Sequence, residues 1–463
     1  MADLTIADTG TVTIAGAGLA GSLLAVYLAR RGFRVEVFER WGDPRKQDVP
    51  AGRSINLALA ERGIHALRQV GLHHRVGQFA LPMRGRMVHD LEGDVSLQPY
   101  GQRAGEVIYS VHRARLNLAL IEAAEATDRV RIHFNQEIES IDFEAGTATF
   151  RDQASDRQYD RPVFPLVGAD GAGSVVRTML ERHLDFEATS DLLDHGYREL
   201  TIPPADEGFR MDPEALHIWP RGGYMMIALP NADRSFTVTL FMPNEGDPSF
   251  ATLQDFPSFE SFIRSRFPDT LDLLDQLETD FAENPVGVLG TIRCDHWHLD
   301  GRVAILGDAA HAVVPFHGQG MNCAFEDCAE LDRIIGASTR WDEAFAAFEA
   351  DRKPNANAIA DMALENYVEM RASVVDPEYL LKRALALELE RRHPTRFVPR
   401  YSLVMFRRIP YAQAQRRGRI NAGILTELVQ GRESVDEVDF DAAERLIEER
   451  LDPLPAPAPI SLS

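Results

Sequence analysis

At 463 residues the chain is longer than a single core usually organises, which excludes a small module and implies two or three domains sharing interfaces. With 45% hydrophobic and 26% charged residues, 33 Gly and 26 Pro, its composition is that of a globular protein and not of a disordered or fibrous one. The 71 acidic against 49 basic side chains leave a net charge of −22, a field that repels phosphate backbones and anionic lipid surfaces and so argues against nucleic acid and membrane partners.

The first ten residues carry Asp3 and Asp8 where a secretory leader needs a basic start and an apolar run, and no stretch reaches ~18 consecutive apolar residues. A soluble, cytoplasmic protein is expected. Residues Val12 to Ile14 lead into Gly16-Ala17-Gly18-Leu19-Ala20-Gly21, a helical pattern follows to about Arg31, and Arg34 to Glu39 reads as a second strand. This βαβ opening carries a GxGxxG finger: a tight turn at Gly16, close approach of the backbone to a pyrophosphate at Gly18, and close helix-to-strand packing at Gly21. Free N–H groups at the helix start hold the diphosphate, and Glu39 ends the second strand where an acid hydrogen-bonds a ribose diol. The finger alone does not separate NAD from FAD.

The segments on either side of Leu91 to Val95 alternate like the strands of a hairpin. A three-residue loop, Glu92-Gly93-Asp94, sets Arg86 opposite Tyr100 at ~5 Å between Cβ atoms, so that a guanidinium fork and a phenol converge on one carboxylate; Pro99 weakens that register. Arg113 precedes an amphipathic run through Leu116 and Leu120, where a surface helix charge is the plain alternative to a ligand-binding role. Leu166 to Ser174 is an apolar strand ending in Gly-Ala-Asp-Gly. Val303 to His311 is another, ending in Gly-Asp. Each puts one carboxylate, Asp170 or Asp308, at the C-terminal end of a strand, where open α/β sheets bind ligands.

Between them a second sheet is visible in Leu216 to Trp219, Tyr224 to Leu229 and Phe236 to Phe241. The Gly222-Gly223 turn suits type I′, pairing Ile218 with Ile227 and Leu216 with Leu229 on an apolar face. With Phe241 and His317 at its rim, that face either walls a ligand or is simply core. Phe316 to Asn322 introduces an amphipathic helix through Leu331 and Ile335, whose start suits the anionic edge of a reduced flavin. Cys294, Cys323 and Cys328 are an odd count with no paired motif, so neither a disulfide framework nor a zinc site is expected. Beyond Asp376 the pattern is helical over Tyr379 to Glu390, Tyr411 to Leu428 and Phe440 to Leu451, a layer that either lids a site or caps the fold. The Pro/Ala-rich end, Asp452 to Ser463, reads as an exposed tail, with docking on its own domain as the alternative.

The ordered trio of GxGxxG, Gly168-Ala169-Asp170-Gly171 and Gly307-Asp308-Ala309-Ala310-His311 resembles the single-component FAD-dependent aromatic hydroxylases, the group A flavoprotein monooxygenases. Finer segments resemble the members that hydroxylate L-kynurenine at C3: Gly52 to Leu59, Met83 to His89, Leu97 to Gly101, Leu216 to Pro220, Pro315 to Asn322, Glu365 to Met370 and Arg396 to Ser402. The resemblance implies an α/β fold with a discontinuous FAD-binding domain over residues 1–75, 102–182 and 292–375. A β-rich substrate domain is inserted over 76–101 and 183–291, and helices with a Pro-rich tail follow over 376–463.

It further implies bound FAD, NADPH as a transient co-substrate because there is one finger and not two, O2, and a C4a-hydroperoxyflavin as the hydroxylating species. No metal is implied, and the oligomeric state stays open, a homodimer included. Carried over by position, Gly16, Ala17, Gly18 and Gly21 hold the diphosphate with Arg113, Glu39 and Arg40 meet the adenosine end, and Asp308 holds the ribityl chain. Ala58, Gly320, Met321 and Asn322 lie near the isoalloxazine, and Asp170 divides its role between fold and dinucleotide. Arg86, Tyr100, Asn366 and Tyr401 bind the amino-acid carboxylate. An aniline ring carries its own ortho-activating amino group, so no catalytic acid or base is assigned, with His317 the one residue to test for proton traffic. The alternatives are a hydroxylase of another anionic aromatic compound and a flavin redox sensor without turnover.

Overall fold

The computed structural model describes residues 4–46, 56–103, 105–372, 376–455 and 462, so residues 52–55 of the Gly52 to Leu59 segment lie outside the described residues. The opening unit consists of strand Thr11–Ala15, helix Leu19–Arg31 and strand Arg34–Glu39. It belongs to a six-stranded sheet in the order His298–Leu299, Val303–Ile305, Leu166–Gly168, Thr11–Ala15, Arg34–Glu39, Val130–Phe134, parallel apart from the pair at the His298 edge. Leu166–Gly168 and Val303–Ile305 are buried throughout, as central strands covered on both faces must be. Because parallel strands all end on one side, the residues that follow them, among them Gly16, Asp170 and Asp308, come to a common edge together with Glu39.

Two antiparallel three-stranded sheets flank this one: Gln136–Asp142, Thr147–Asp152 and Arg157–Pro162; and Asn56–Leu59, Ile108–His112 and Leu81–Met83. A seven-stranded sheet runs in the order Gly287–Arg293, Thr189–Ile202, Phe236–Pro243, Met225–Pro230, Ala215–Pro220, Gly85–His89, Val95–Pro99. Its side chains alternate between two cores because the strand repeat is two residues. Trp219, Met226 and Phe236 pack with Phe259 and Phe267 on one face, whereas Leu216, Ile218, Leu229 and Phe241 face Phe316 and Tyr367 on the other.

The hairpin register differs from the expected one. Arg86 stands opposite Gln98 and not Tyr100, because the loop runs from Asp90 to Asp94, closed by the Asp90 N–H on the Asp94 carbonyl (3.1 Å) and the Asp94 N–H on Asp90 Oδ1 (2.8 Å). A slip of two residues leaves every side chain on its original face, so Tyr100 stays on the side of Arg86, as a diagonal neighbour. In the second hairpin Ile218 does pair with Ile227, but among Gly222 and Gly223 only Gly222 has a positive φ (73°), which rules out type I′.

Helices Pro377–Arg392, Arg400–Phe406, Tyr411–Val429 and Phe440–Arg450 make the C-terminal layer. Asp376 accepts from the Tyr379 N–H and Asp439 from the Asp441 and Ala442 N–H groups, caps worth about 1 kcal/mol each. The end of the chain is not simply an exposed tail. Leu454 and Leu462 are buried, the Leu454 N–H donates to the Thr395 carbonyl, and Leu462 packs into the core of the six-stranded sheet beside Gly77, apolar anchors that the Pro/Ala composition obscured. The three cysteines are buried and unpaired, and no described helix is long and apolar enough to cross a membrane.

Candidate active site

One cavity of about 820 Å³ is lined both by Gly16, Gly18 and Asp308 of the parallel sheet's edge and by Arg86, Tyr100 and Tyr401. Gly16 adopts φ 94°, and a Cβ there would stand 2.6 Å from the Ala169 carbonyl oxygen; a Cβ on Gly21 would stand 2.0 Å from the Gly16 carbonyl oxygen. Neither position admits a side chain. A Cβ on Gly18 would meet nothing within 4 Å, so the backbone there faces open space. Glu39 accepts from the Ala17 N–H through Oε2 (2.7 Å) and from the Trp41 N–H through Oε1 (2.9 Å), which fixes the acid against the finger. Arg40 is exposed, its guanidinium 4.9 Å from the Trp41 ring centre, and both residues line the cavity. Arg113 begins helix Arg113–Glu125 on the cavity wall, where its charge opposes the upward pull of burial on Glu199.

Two acids of the sheet edge divide the work. Asp170 is committed to the chain itself: its carboxylate accepts from Ser174 Oγ (2.5 Å) and from the N–H groups of Val175 (2.8 Å) and Val176 (3.3 Å) at the start of helix Val175–Leu184. Burial raises its pKa despite those bonds. Asp308, by contrast, is exposed on the cavity wall with no hydrogen-bond or ion-pair partner among the described residues. Ala58, Gly320 and Met321 also line the cavity. Asn322 does not. Fully buried, it accepts from the Ala60 N–H (2.9 Å) and donates to the Ala58 and Gly318 carbonyls (2.8 Å each), bracing two cavity loops.

Beneath Gly307 and Asp308 lies a buried charge network absent from the sequence-based expectations. Asp327 accepts from the Gly307 N–H (3.0 Å) and from Arg352 Nε (2.7 Å) and meets His311 Nε2 at 2.6 Å, while Arg352 Nη1 donates to Glu326 (2.8 Å), which also binds Arg62. Burial pushes the Asp327 carboxyl up, and His311 and Arg352 outweigh it, holding the group down at about 2. The available signal was an acid on the apolar stripe of helix Gly320–Ala337, between Ala324 and Leu331.

At the other end, Arg86 is 4% exposed, its guanidinium 5.1 Å from the ring centre of Tyr401 and 6.0 Å from that of Tyr100. Those two phenols stack at 5.3 Å and 17°. Burial works against the charge of Arg86, but Tyr401, Glu369 and Tyr100 more than compensate, raising its pKa. Tyr401 comes from helix Arg400–Phe406, so the C-terminal layer contributes a wall residue and not only a cap. Asn366 does not join them on the wall: its amide nitrogen donates to the Phe316 carbonyl (2.6 Å) and to Met370 Sδ (3.2 Å), fixing the loop above.

Leu216, Ile227, Leu229 and Phe241 form an apolar wall, with Phe241 edge-on to Phe316 at 5.0 Å and Phe316 stacked on Tyr367 at 3.8 Å. His317 stacks on Tyr401 at 5.6 Å, and its Nδ1 has no partner among the described residues. Burial, with help from Arg400 and Arg86, pulls its pKa down to about 3, so near neutral pH it is an uncharged imidazole with no imidazolium proton to give.

The family model described as FAD binding domain matches residues 9–363. Kynurenine 3-monooxygenase of Stenotrophomonas maltophilia is 52% identical over 442 residues, covering 95% of this chain and 97% of that one. The enzyme of the same name from Xanthomonas campestris pv. campestris is 51% identical over 449 residues, covering 97% and 98%. Among solved structures, the tetrameric form of 2-methyl-3-hydroxypyridine-5-carboxylic acid oxygenase aligns with a TM-score of 0.65 at 20% identity, covering 83% of this chain and 98% of that one. PqsL of Pseudomonas aeruginosa in complex with 2-aminobenzoylacetate aligns with a TM-score of 0.64 at 22% identity, covering 79% and 97%. At such identities these two likenesses concern the fold alone.

Proposed function

The chain belongs to the FAD binding domain family, among the flavin-dependent aromatic hydroxylases, and on that premise we propose that it hydroxylates L-kynurenine at C3 with NADPH and O2 as co-substrates. The observation that carries this reading is the seat of Arg86: a buried guanidinium flanked by two phenols, at the end of an apolar wall in the same cavity as the GxGxxG finger. The cradle fits FAD. Gly18 leaves its backbone open where a diphosphate must approach, Arg113 adds a cation, and Asp308 offers an unoccupied acceptor for ribityl hydroxyls. Ala17 and Gly21 complete the finger, Glu39 and Arg40 take the adenosine end, and Ala58, Gly320 and Met321 border the ring system. Bound there, FAD would supply the oxygen-activating redox chemistry, with NADPH as the reductant.

The chain's own residues orient and shield. Arg86, Tyr100 and Tyr401 take the carboxylate, Asn366 acts by holding the Phe316 carbonyl, and the wall of Leu216, Ile227, Leu229 and Phe241 excludes water from the ring. His317 acts as a neutral hydrogen-bonding imidazole. The ring's own amino group activates the adjacent carbon, so no side chain is needed as a base. The strands of the parallel sheet support a FAD-holding unit over 1–75, 102–182 and 292–375, and those of the seven-stranded sheet a substrate unit over 76–101 and 183–291. Buried unpaired cysteines accord with a cytoplasmic location.

Asp308→Ala removes the free acceptor and weakens FAD binding by about 1.5–3 kcal/mol, the range for hydrogen bonds to a charged group. The flavin-to-protein absorbance ratio after gel filtration falls; a variant as yellow as the parent would place the ribityl chain elsewhere.

The function is tested by anaerobic reduction with NADPH, with and without L-kynurenine, followed by product analysis under air. Flavin reduction is faster with L-kynurenine, and the product co-elutes with authentic 3-hydroxykynurenine alone, because a ring anchored at one end presents a single amino-activated edge. The methyl ester of kynurenine is turned over slowly. A mixture of ring isomers, or an ester as good as the acid, would overturn the reading.

A further inference from the structure

We propose that Thr239 sets the position of hydroxylation: its hydroxyl accepts a hydrogen bond from the ring amino group of the substrate and so decides which edge of the ring faces the cofactor. This inference rests on the functional reading above. Thr239 lies in strand Phe236–Pro243, directly opposite Ile227 and two residues from Phe241 on the same face, within the apolar wall. Among the buried side chains that the seven-stranded sheet gives to the cavity, only Arg86 and Thr239 are polar, and Thr239 is 3% exposed. Its hydroxyl has no hydrogen-bond partner among the described residues. The hydroxyl of Thr237, next along the same face, is by contrast taken by the Asn231 amide (3.1 Å).

A free hydroxyl at this place requires an explanation. Buried polar groups are nearly always paired, and valine, which has the shape of threonine without its polar atom, suits a purely apolar wall better. The lone pairs of Thr239 Oγ1 are thus half of a hydrogen bond that the ligand completes. The substrate has a use for it. Anchoring at the amino-acid end limits hydroxylation to one edge of the ring, but half a turn of the aryl group exchanges C3, ortho to the amino group, with C5, para to it. Both carbons are activated by the same nitrogen, so ring electronics do not choose between them. The amino group marks one edge only. On an otherwise apolar wall a single acceptor tells that edge from its C–H counterpart, because an N–H turned toward Leu229 or Phe241 stays unpaired.

The test compares Thr239→Val, which keeps the shape of the wall, with Thr239→Ser, which keeps the hydroxyl, on the FAD-loaded enzyme. In titrations of the flavin absorbance Thr239→Val binds L-kynurenine about three- to tenfold less tightly than the wild type, the range of one neutral hydrogen bond. It binds 2-amino-4-oxo-4-phenylbutanoate, which lacks only the ring amino group, as tightly as the wild type does. Turnover with NADPH under air gives 3-hydroxykynurenine alone from the wild type and from Thr239→Ser, and a mixture of the 3- and 5-hydroxy isomers from Thr239→Val, resolved by chromatography against authentic standards.

If Thr239→Val weakens both ligands equally, the side chain merely packs against the ring and the proposal is overturned. It is also overturned, with the substrate reading intact, if Thr239→Val still yields the 3-hydroxy isomer alone. A wild type that binds neither ligand overturns the substrate reading itself.

Discussion

Arg86→Met lowers the affinity for L-kynurenine by about 2–5 kcal/mol, a loss of roughly thirtyfold or more, while FAD content stays at the wild-type level. Methionine matches the aliphatic stem of arginine in length and fills its channel, so the change removes charge and hydrogen-bonding capacity without opening a void. What remains is a substrate carboxylate facing two phenols whose pKa values burial raises, Tyr401 well above the ordinary range, and which therefore stay neutral. Hydrogen bonds from them do not offset a desolvated anion. The finger, Asp308 and Arg113 do not contact Arg86, which is why cofactor retention is unaffected. Titration of the flavin absorbance measures the effect, and equal affinity in the variant would remove Arg86 from the site.

Arg352→Met destabilises the fold by about 3–5 kcal/mol, the range for breaking a buried ion pair by removing one partner. Arg352 is 3% exposed and spans Asp327, which is fully buried, and Glu326. Its loss leaves Asp327 with His311 and the Gly307 N–H only. Because the folded pKa of Asp327 lies near 2, below the ordinary carboxylate range, its contribution to wild-type stability is complete above that range and is lost as the pH falls toward 2. Without Arg352 the folded pKa rises toward the unfolded one, and the contribution at neutral pH shrinks. Gly307 precedes Asp308, so FAD retention falls together with the melting temperature. Arg352→Lys restores the charge without the fork and recovers part of both. Thermal denaturation at neutral pH with flavin fluorescence as a second probe distinguishes the outcomes; unchanged melting of Arg352→Met would show that the network contributes no stability.

The parallel sheet and its finger were legible because local steric rules dictate them. Gly16 and Gly21 answer requirements set by the adjacent strand end and by the finger itself, Gly18 leaves the backbone open, and Leu166–Gly168 and Val303–Ile305 announce themselves as short apolar runs followed by an acid. Local pattern did not separate the roles of the two acids, which only the family resemblance distinguished. Asp170 and Asp308 occupy similar places at strand ends, and in the structure it is their hydrogen bonding that sets them apart: Asp170 accepts from Ser174 and the start of helix Val175–Leu184, whereas Asp308 has no such partner among the described residues. Asn322 and Asn366 have the composition of ligand-binding amides, yet each spends one bond on the backbone of a segment far away in sequence, Ala58 or Phe316, and another on a neighbour one helical turn away, Gly318 or Met370.

By itself the sequence determined the βαβ opening, the alternation that gives the seven-stranded sheet two different faces, and the residue types able to bind a diphosphate and a carboxylate, all properties that act over one turn or one strand. The tertiary structure alone decided the hairpin register, the burial of Leu454 and Leu462, the Asp327 to Arg352 pair and the meeting of Arg86, Tyr401 and Glu369. Each of these depends on contacts between segments distant in the chain. A side chain's partner across such a distance is fixed by how whole layers pack, which no local spacing encodes.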